Sequence, residues 1–131
     1  RLVEFAKRFA PARVNFRCGI ESFDGLRRVQ WNKGVPADVT VTDVAKYFSG
    51  VCLLVCTQGD TKDRIITDIE LAKKHFEYMS VNLFCNNRTE VRRDESLADW
   101  FVKEVYPLIK DYVDKVVITA QTGDCWWALM I

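Results

Sequence analysis

The residues able to do chemistry fall into four short polar clusters, each placed on or just after an apolar run. The first is Gly19-Ile20-Glu21-Ser22-Phe23, and the second is Cys56-Thr57-Gln58-Gly59-Asp60-Thr61. Asn82 with Phe84-Cys85-Asn86-Asn87-Arg88-Thr89 makes the third, and Gln121-Thr122-Gly123-Asp124 the fourth. Glu21 is the sharpest single residue. A carboxylate just past a buried strand can accept paired hydrogen bonds from vicinal hydroxyls such as a ribose diol. The same side chain can instead cap a helix or join a surface ion pair. Gly59 followed by Thr61 suggests a tight turn into a helix N-terminus, where free amides bind carboxylate or phosphate. Neither a Walker loop nor a dinucleotide fingerprint is present. Polar clusters after apolar runs are also what ordinary loops look like, but four on one rim make a site for a polar organic ligand.

Other reactive side chains read more blandly. His75 is the single histidine and sits beside Lys73 and Lys74, so we expect it to face solvent. No Gly-x-Ser-x-Gly elbow accompanies it. The cysteines are Cys18, Cys52, Cys56, Cys85 and Cys125. Their odd number, without an apolar leader, points to reduced thiols in a cytoplasm, and small buried hydrophobes are their expected role. Cys52-x3-Cys56 is not expected to hold a metal. Residues four apart on a strand lie roughly 13 Å apart, too far to share one ion.

The elements that must position these clusters alternate. Leu2, Val3, Phe5, Ala6 and Phe9 pattern a helix ended by Pro11. Val14 to Ile20 reads as a strand, and a polar, Gly-containing stretch from Asp24 to Asp38 follows. A helix opens at Thr40 with Val41, Val44, Ala45 and Phe48 on one face, and Gly50 stops it. Val51 to Val55 is a strand. A helix from about Thr61 carries Ile65, Ile66, Ile69, Ala72 and Phe76. Met79 to Cys85 is a third strand. A helix over 94–110 is capped by Asp94, and Lys115 to Thr119 forms a fourth strand. Trp126-Trp127-Ala128-Leu129-Met130-Ile131 is an apolar end that fits a strand, a helix start, or a segment packed on something else.

This order predicts a single α/β domain over 1–131, built of βα repeats on a parallel sheet with right-handed crossovers. Strands without alternation imply burial on both faces. An open doubly wound sheet and part of a TIM-like (β/α) barrel both fit. A whole barrel needs about 200 residues or more, so four strands make half of one. In either case ligands bind beyond the carboxyl ends of the strands. The 19 basic and 18 acidic residues nearly cancel, which gives no electrostatic reason to expect nucleic acid or an anionic membrane. No apolar run approaches the roughly 20 residues that span a bilayer.

The strand-end clusters resemble those of radical S-adenosylmethionine enzymes, in the later half of their barrel. Val14-Asn15-Phe16-Arg17-Cys18-Gly19-Ile20-Glu21-Ser22-Phe23 resembles that family's fourth strand with its Gly-Ile-Glu-Ser ending. Arg27-Arg28 and Asn32-Lys33-Gly34 resemble the segment after it. Leu53-Leu54-Val55, Gly59-Asp60-Thr61, Ile65 and Asp68-Ile69 resemble the fifth strand and its helix entry. Val81-Asn82-Leu83-Phe84 with Arg93-Asp94-Glu95 resembles the sixth strand and the loop after it. The likeness runs from about residue 2 to 124.

The resemblance implies an enzyme in which a [4Fe-4S] cluster on a Cys-x3-Cys-x2-Cys motif cleaves S-adenosylmethionine to a 5′-deoxyadenosyl radical, which takes hydrogen from a small-molecule substrate. That motif is absent: Cys52 and Cys56 have the first spacing, but Gly59 stands in the third position. The resemblance places Glu21 or Ser22 on the ribose or methionyl part and Gln58, Gly59 and Thr61 around the adenosyl group. Asn82 and Asn86 would reach ligand or substrate. Cys56 departs from a glycine common at its place. The expectation is therefore the S-adenosylmethionine-binding half of a cytoplasmic radical enzyme, with the cluster-binding half absent from this chain and the chain alone inactive. Uncovered edges would be met by the remainder of the barrel or by a homodimer. The alternatives are a non-enzymatic nucleotide or small-ligand module and an interaction domain on an open α/β sheet.

Overall fold

The computed structural model describes residues 1–110, 116–122 and 125–127, the last two stretches by their backbone alone. The strands are β1 (Arg17–Glu21), β2 (Gly50–Val55), β3 (Tyr78–Leu83), β4 (Val116–Thr122) and β5 (Cys125–Trp127). They form one sheet in the order β1-β2-β3-β4-β5. The first four pair parallel, and β5 turns back antiparallel on β4. The expected βα order is therefore met, and the strand alternative for Trp126 and Trp127 is the one observed. Among the described residues the sheet therefore ends on an antiparallel strand at the β5 edge. Of the fourth polar cluster, Gln121 and Thr122 lie in β4, while Gly123 and Asp124 are outside the described residues.

The helices are α1 (Leu2–Lys7), α2 (Gly25–Gln30), α3 (Val41–Ala45), α4 (Lys62–His75), α5 (Glu95–Trp100) and α6 (Tyr106–Ile109). A π-helical turn over Phe101–Val105 joins the last two. Pro107 just inside α6 explains that widening: it has no N–H to offer the carbonyl four residues back. Side-chain caps set the starts. Thr40 and Asp43 form a capping box on α3, Thr61 accepts from the Arg64 amide on α4 at 3.2 Å, and Asp94 accepts from the Leu97 amide at 3.0 Å. Helix α2 lies inside the polar, Gly-containing stretch, to which the sequence assigns no element. Asp24 caps it by accepting from the amides of Leu26 and Arg27.

Alternation on the strands divides the sheet into two faces. Val51, Leu53 and Val55 of β2, with Met79, Val81 and Leu83 of β3, join Ile65, Ile69, Ala72, Phe101 and Val105 from the helices in one core. The other face carries Arg17, Cys52, Ser80 and Asn82. Arg17 reaches Ser80 Oγ at 3.3 Å, and Cys52 Sγ lies 3.1 Å from the same hydroxyl. Leu54 and Tyr78 share that second face, but the apolar core lies on the first, so the strands are not buried alike on both sides. Gly25 lets the chain over residues 36–39 lie against α2, since a Cβ there would stand 2.1 Å from the Ala37 carbonyl oxygen.

Candidate functional site

The ends of β1 and β2 are built by the same device. Each strand stops at a residue in the left-handed region, Glu21 at φ 67° and Cys56 at φ 67°. Side chains rarely adopt this conformation, and such strain concentrates at functional sites. A fully buried hydroxyl residue comes next, Ser22 and Thr57. Each hydroxyl is then met by an arginine from the helix that follows the other strand. Arg64 of α4 donates to Ser22 Oγ at 2.8 Å, and Arg27 of α2 donates to Thr57 Oγ1 at 2.7 Å.

Two aspartates complete this cross-clamp. Asp68 accepts from the Ser22 hydroxyl at 2.7 Å, from the Phe23 amide at 3.0 Å and from Arg64 at 2.8 Å. Asp60 accepts from the Thr57 amide at 3.0 Å, and its other oxygen pairs with Arg27 at 2.8 Å and Arg64 at 2.5 Å. Trp31 lies under both guanidinium groups. Burial raises the Asp68 carboxyl above its ordinary value, against the opposing pull of the Ser22, Phe23 and Arg64 contacts. Arg28 is fully buried and donates to the carbonyls of Ser22, Pro36, Ala37 and Val39. The residue after Glu21 is thus tied to the loop that follows α2.

Glu21 itself faces outward from this framework. Its side chain is 16% exposed, and Lys33 Nζ lies 2.8 Å from Oε1. A Cβ on Gly19 would stand 3.5 Å from that same oxygen, so the carboxylate folds back over the glycine. Gln58, Gly59 and Thr61 come together at the start of α4. Gly59 is left-handed at φ 81°, and a Cβ there would come within 3.0 Å of Arg27 Nη1. The Gln58 carbonyl accepts from Arg27 at 3.1 Å. Its side chain lines an open pocket of about 270 Å³ with Arg27, Gln30, Trp31, Glu90, Val91 and Arg92. Asn86 is exposed, and its side chain accepts from the Arg93 amide at 2.8 Å, which holds the loop after β3. Asn82 is half-buried on the polar face of β3.

The seven expected site residues therefore separate into roles. Glu21, Gln58, Gly59, Thr61 and Asn86 reach the surface at the carboxyl ends of the strands, and Asn82 lines the polar face. Ser22 is instead enclosed by Asp24, Arg64 and Asp68 and holds the strand end. His75 is half-buried, where a solvent-facing residue was expected. Cys18, Cys52, Cys56 and Cys85 form no disulfide, and the described residues contain no cluster of three or more metal-ligating side chains. The residues that sequence reasoning missed are Arg27, Arg28, Arg64 and Trp31 as the frame. Asp24 ahead of Leu26 and Val29, three apart, was the available signal for α2.

The class follows from this arrangement: a TIM-like (β/α) half-barrel with a polar rim at its strand ends, like that of the radical S-adenosylmethionine enzymes it resembles. Among solved structures, queuine lyase from Clostridium spiroforme, bound to SAM and queuine, is similar over 93% of this chain with a TM-score of 0.80 and 31% identity. The chain spans 52% of that protein's length, the share expected of half a barrel. No family model and no curated protein sequence matches the chain.

Proposed function

We propose that this chain supplies the S-adenosylmethionine-holding part of a radical enzyme acting on a small-molecule substrate, with the iron–sulfur cluster carried by residues other than these. One observation carries the reading. The strand β1 ends on a strained, partly exposed carboxylate, Glu21, at the rim where such folds take their ligands. The similar queuine lyase was solved with SAM bound.

In this reading Glu21 accepts from the ribose hydroxyls, and Gln58, Gly59 and Thr61 line the adenosyl part. Asn82 and Asn86 are directed to ligand or substrate, and Ser22 holds the strand end. The donor set fits a neutral-to-cationic polar nucleoside: one carboxylate, three side-chain amides, a hydroxyl and a glycine turn. Bound S-adenosylmethionine would supply hydrogen-abstracting chemistry in the assembled enzyme. A [4Fe-4S] cluster does not fit the described residues, because Gly59 stands in place of the third cysteine and no ligand cluster forms among them. Isothermal titration with S-adenosylmethionine tests the reading. Binding that weakens more than tenfold in Glu21→Ala, a loss above about 1.4 kcal/mol, supports it. Equal affinity in both proteins contradicts it.

A further inference from the structure

We propose that Lys33 is the positioning residue that aims the Glu21 carboxylate at a vicinal diol, a role that rests on the reading just given. Two features of the chain deliver this lysine. Asn32 at φ 52° and Gly34 at φ 68° are both left-handed, so the backbone reverses on each side of Lys33. The Lys33 amide donates to the Arg28 carbonyl at 3.1 Å. Arg28 in turn donates from its side chain to the carbonyl of Ser22, the residue after Glu21. Lys33 and Glu21 are therefore fixed to one fully buried arginine, from opposite ends of it.

The ion pair that results is one-sided. Lys33 Nζ holds Oε1 at 2.8 Å, and Oε2 makes no hydrogen bond among the described residues. A diol needs two acceptor positions on one carboxylate, held in a fixed plane. With Oε1 pinned by an ammonium and held over Gly19, Oε2 and the remaining lone pair of Oε1 are left to accept from a ligand. A partly exposed lysine–glutamate pair contributes at most about 1 kcal/mol to folding. Asn32 and Gly34 are residue types that take the left-handed region at little cost, so the turn presents Lys33 without spending stability, which fits orientation as the role. The ligand class is a ribonucleoside with both hydroxyls free.

The test compares adenosine with 2′-deoxyadenosine by chemical-shift titration of the whole chain, in wild type, Lys33→Met and Lys33→Arg. Wild type is expected to prefer adenosine at least tenfold. Lys33→Met should lose most of that preference, and Lys33→Arg should restore it. A preference unchanged in Lys33→Met overturns the role of Lys33 and leaves the Glu21 site standing. A wild type that binds neither nucleoside nor S-adenosylmethionine overturns the site and the inference together. The Glu21 carboxyl carbon resonance gives a reading that needs no ligand: it should move in Lys33→Met, and an unmoved resonance overturns the inference whatever binds. Gly34→Ala, where a Cβ meets nothing within 4 Å, perturbs only the backbone turn and should reduce the preference in the same direction.

Discussion

The ends of β1 and β2 share a backbone solution and differ in what they offer. Both stop on a left-handed residue, follow it with a buried hydroxyl, and receive an arginine from the other strand's helix. At β2 the left-handed residue is a thiol with no exposure. It is covered because the loop after β3 zips onto it: the Gln58 amide donates to the Arg92 carbonyl at 2.8 Å, and the Asp94 amide donates to the Cys56 carbonyl at 2.8 Å. At β1, the edge of the sheet, Lys33 covers Glu21 instead and leaves its side chain 16% exposed. The difference teaches that the strained turn is a way of ending strands in this fold. Whether it becomes a site depends on the side chain it carries and on what packs over it.

The largest expected effect comes from breaking the clamp itself. Asp68 is 3% exposed and serves Ser22, Phe23 and Arg64 at once. Removing one partner of a buried pair costs about 3–5 kcal/mol, so Asp68→Ala should lower the unfolding free energy by that amount, read as a lower urea midpoint at constant m-value. The β2 counterpart is milder. Thr57→Val takes one acceptor from Arg27, whose Nη2 keeps the Gln58 carbonyl and Asp60, and about 1 kcal/mol is expected. Equal losses at the two ends would break the comparison, since the hydroxyls would then matter more than the carboxylate beneath β1. Asp68 also has a pH signature. Its folded pKa is raised above 3.8 by burial, so the folded state binds the proton more tightly than the unfolded one. The proton-linked part of its contribution is fully present below 3.8 and is lost as pH rises through the raised value. Asp68→Asn should remove that part of the slope.

A second pH effect separates the two left-handed residues directly. Burial first, then the charges of Asp60 and Asp94, push the Cys56 thiol up to about 12 from 9.0. The neutral thiol is common to both states below pH 9. Between 9 and about 12 the unfolded chain ionises first, so stability falls as pH rises through this window. Cys56→Ala should flatten that fall, measured as the difference in urea midpoint between pH 8 and pH 10. Thiolate is the reactive form, so Cys56 should resist iodoacetamide at pH 8 in the folded protein and react once the chain is denatured.

Much of the frame was readable from residue order. The apolar runs of β2 and β3, the helix periodicity of α4 and the caps at Thr40, Thr61 and Asp94 are local signals, and the structure keeps them. Glu21 was legible as a carboxylate after a strand. Its left-handed backbone was not, because glutamate carries no preference for that region. The three arginines were the deepest gap. Arg28 is fully buried, while arginine is ordinarily exposed, and only the return of the chain over residues 36–39 gives it four carbonyls. Helix α2 is not legible in the polar stretch that holds it, and it opens on Gly25. The glycine is there for the close approach of Ala37, a long-range fact that no local pattern holds. Ser22 was singled out for the ligand when its distant partner, Asp68, fixes it in the frame.

The smallest expected effect asks whether the strain at β1 is kept for stability or for function. Glycine adopts φ 67° without the cost that a side chain bears there. Glu21→Gly would also lose the Lys33 pair, worth at most about 1 kcal/mol, and loosen the unfolded chain by a similar amount. These terms oppose one another, so Glu21→Gly should fold within about 1 kcal/mol of wild type. Glu21→Ala, which keeps the strain and loses the pair, should be the less stable of the two. Both should fail to hold the nucleoside. A Glu21→Gly protein with native stability and no binding would place the carboxylate among residues whose fold-level role a glycine replaces. At Cys56 the same change exchanges strain for a lost buried thiol, where close packing leaves a void. If Cys56→Gly proves more stabilising than Glu21→Gly, the strain at β2 outweighs its packing, and the two strand ends differ less than their exposures suggest.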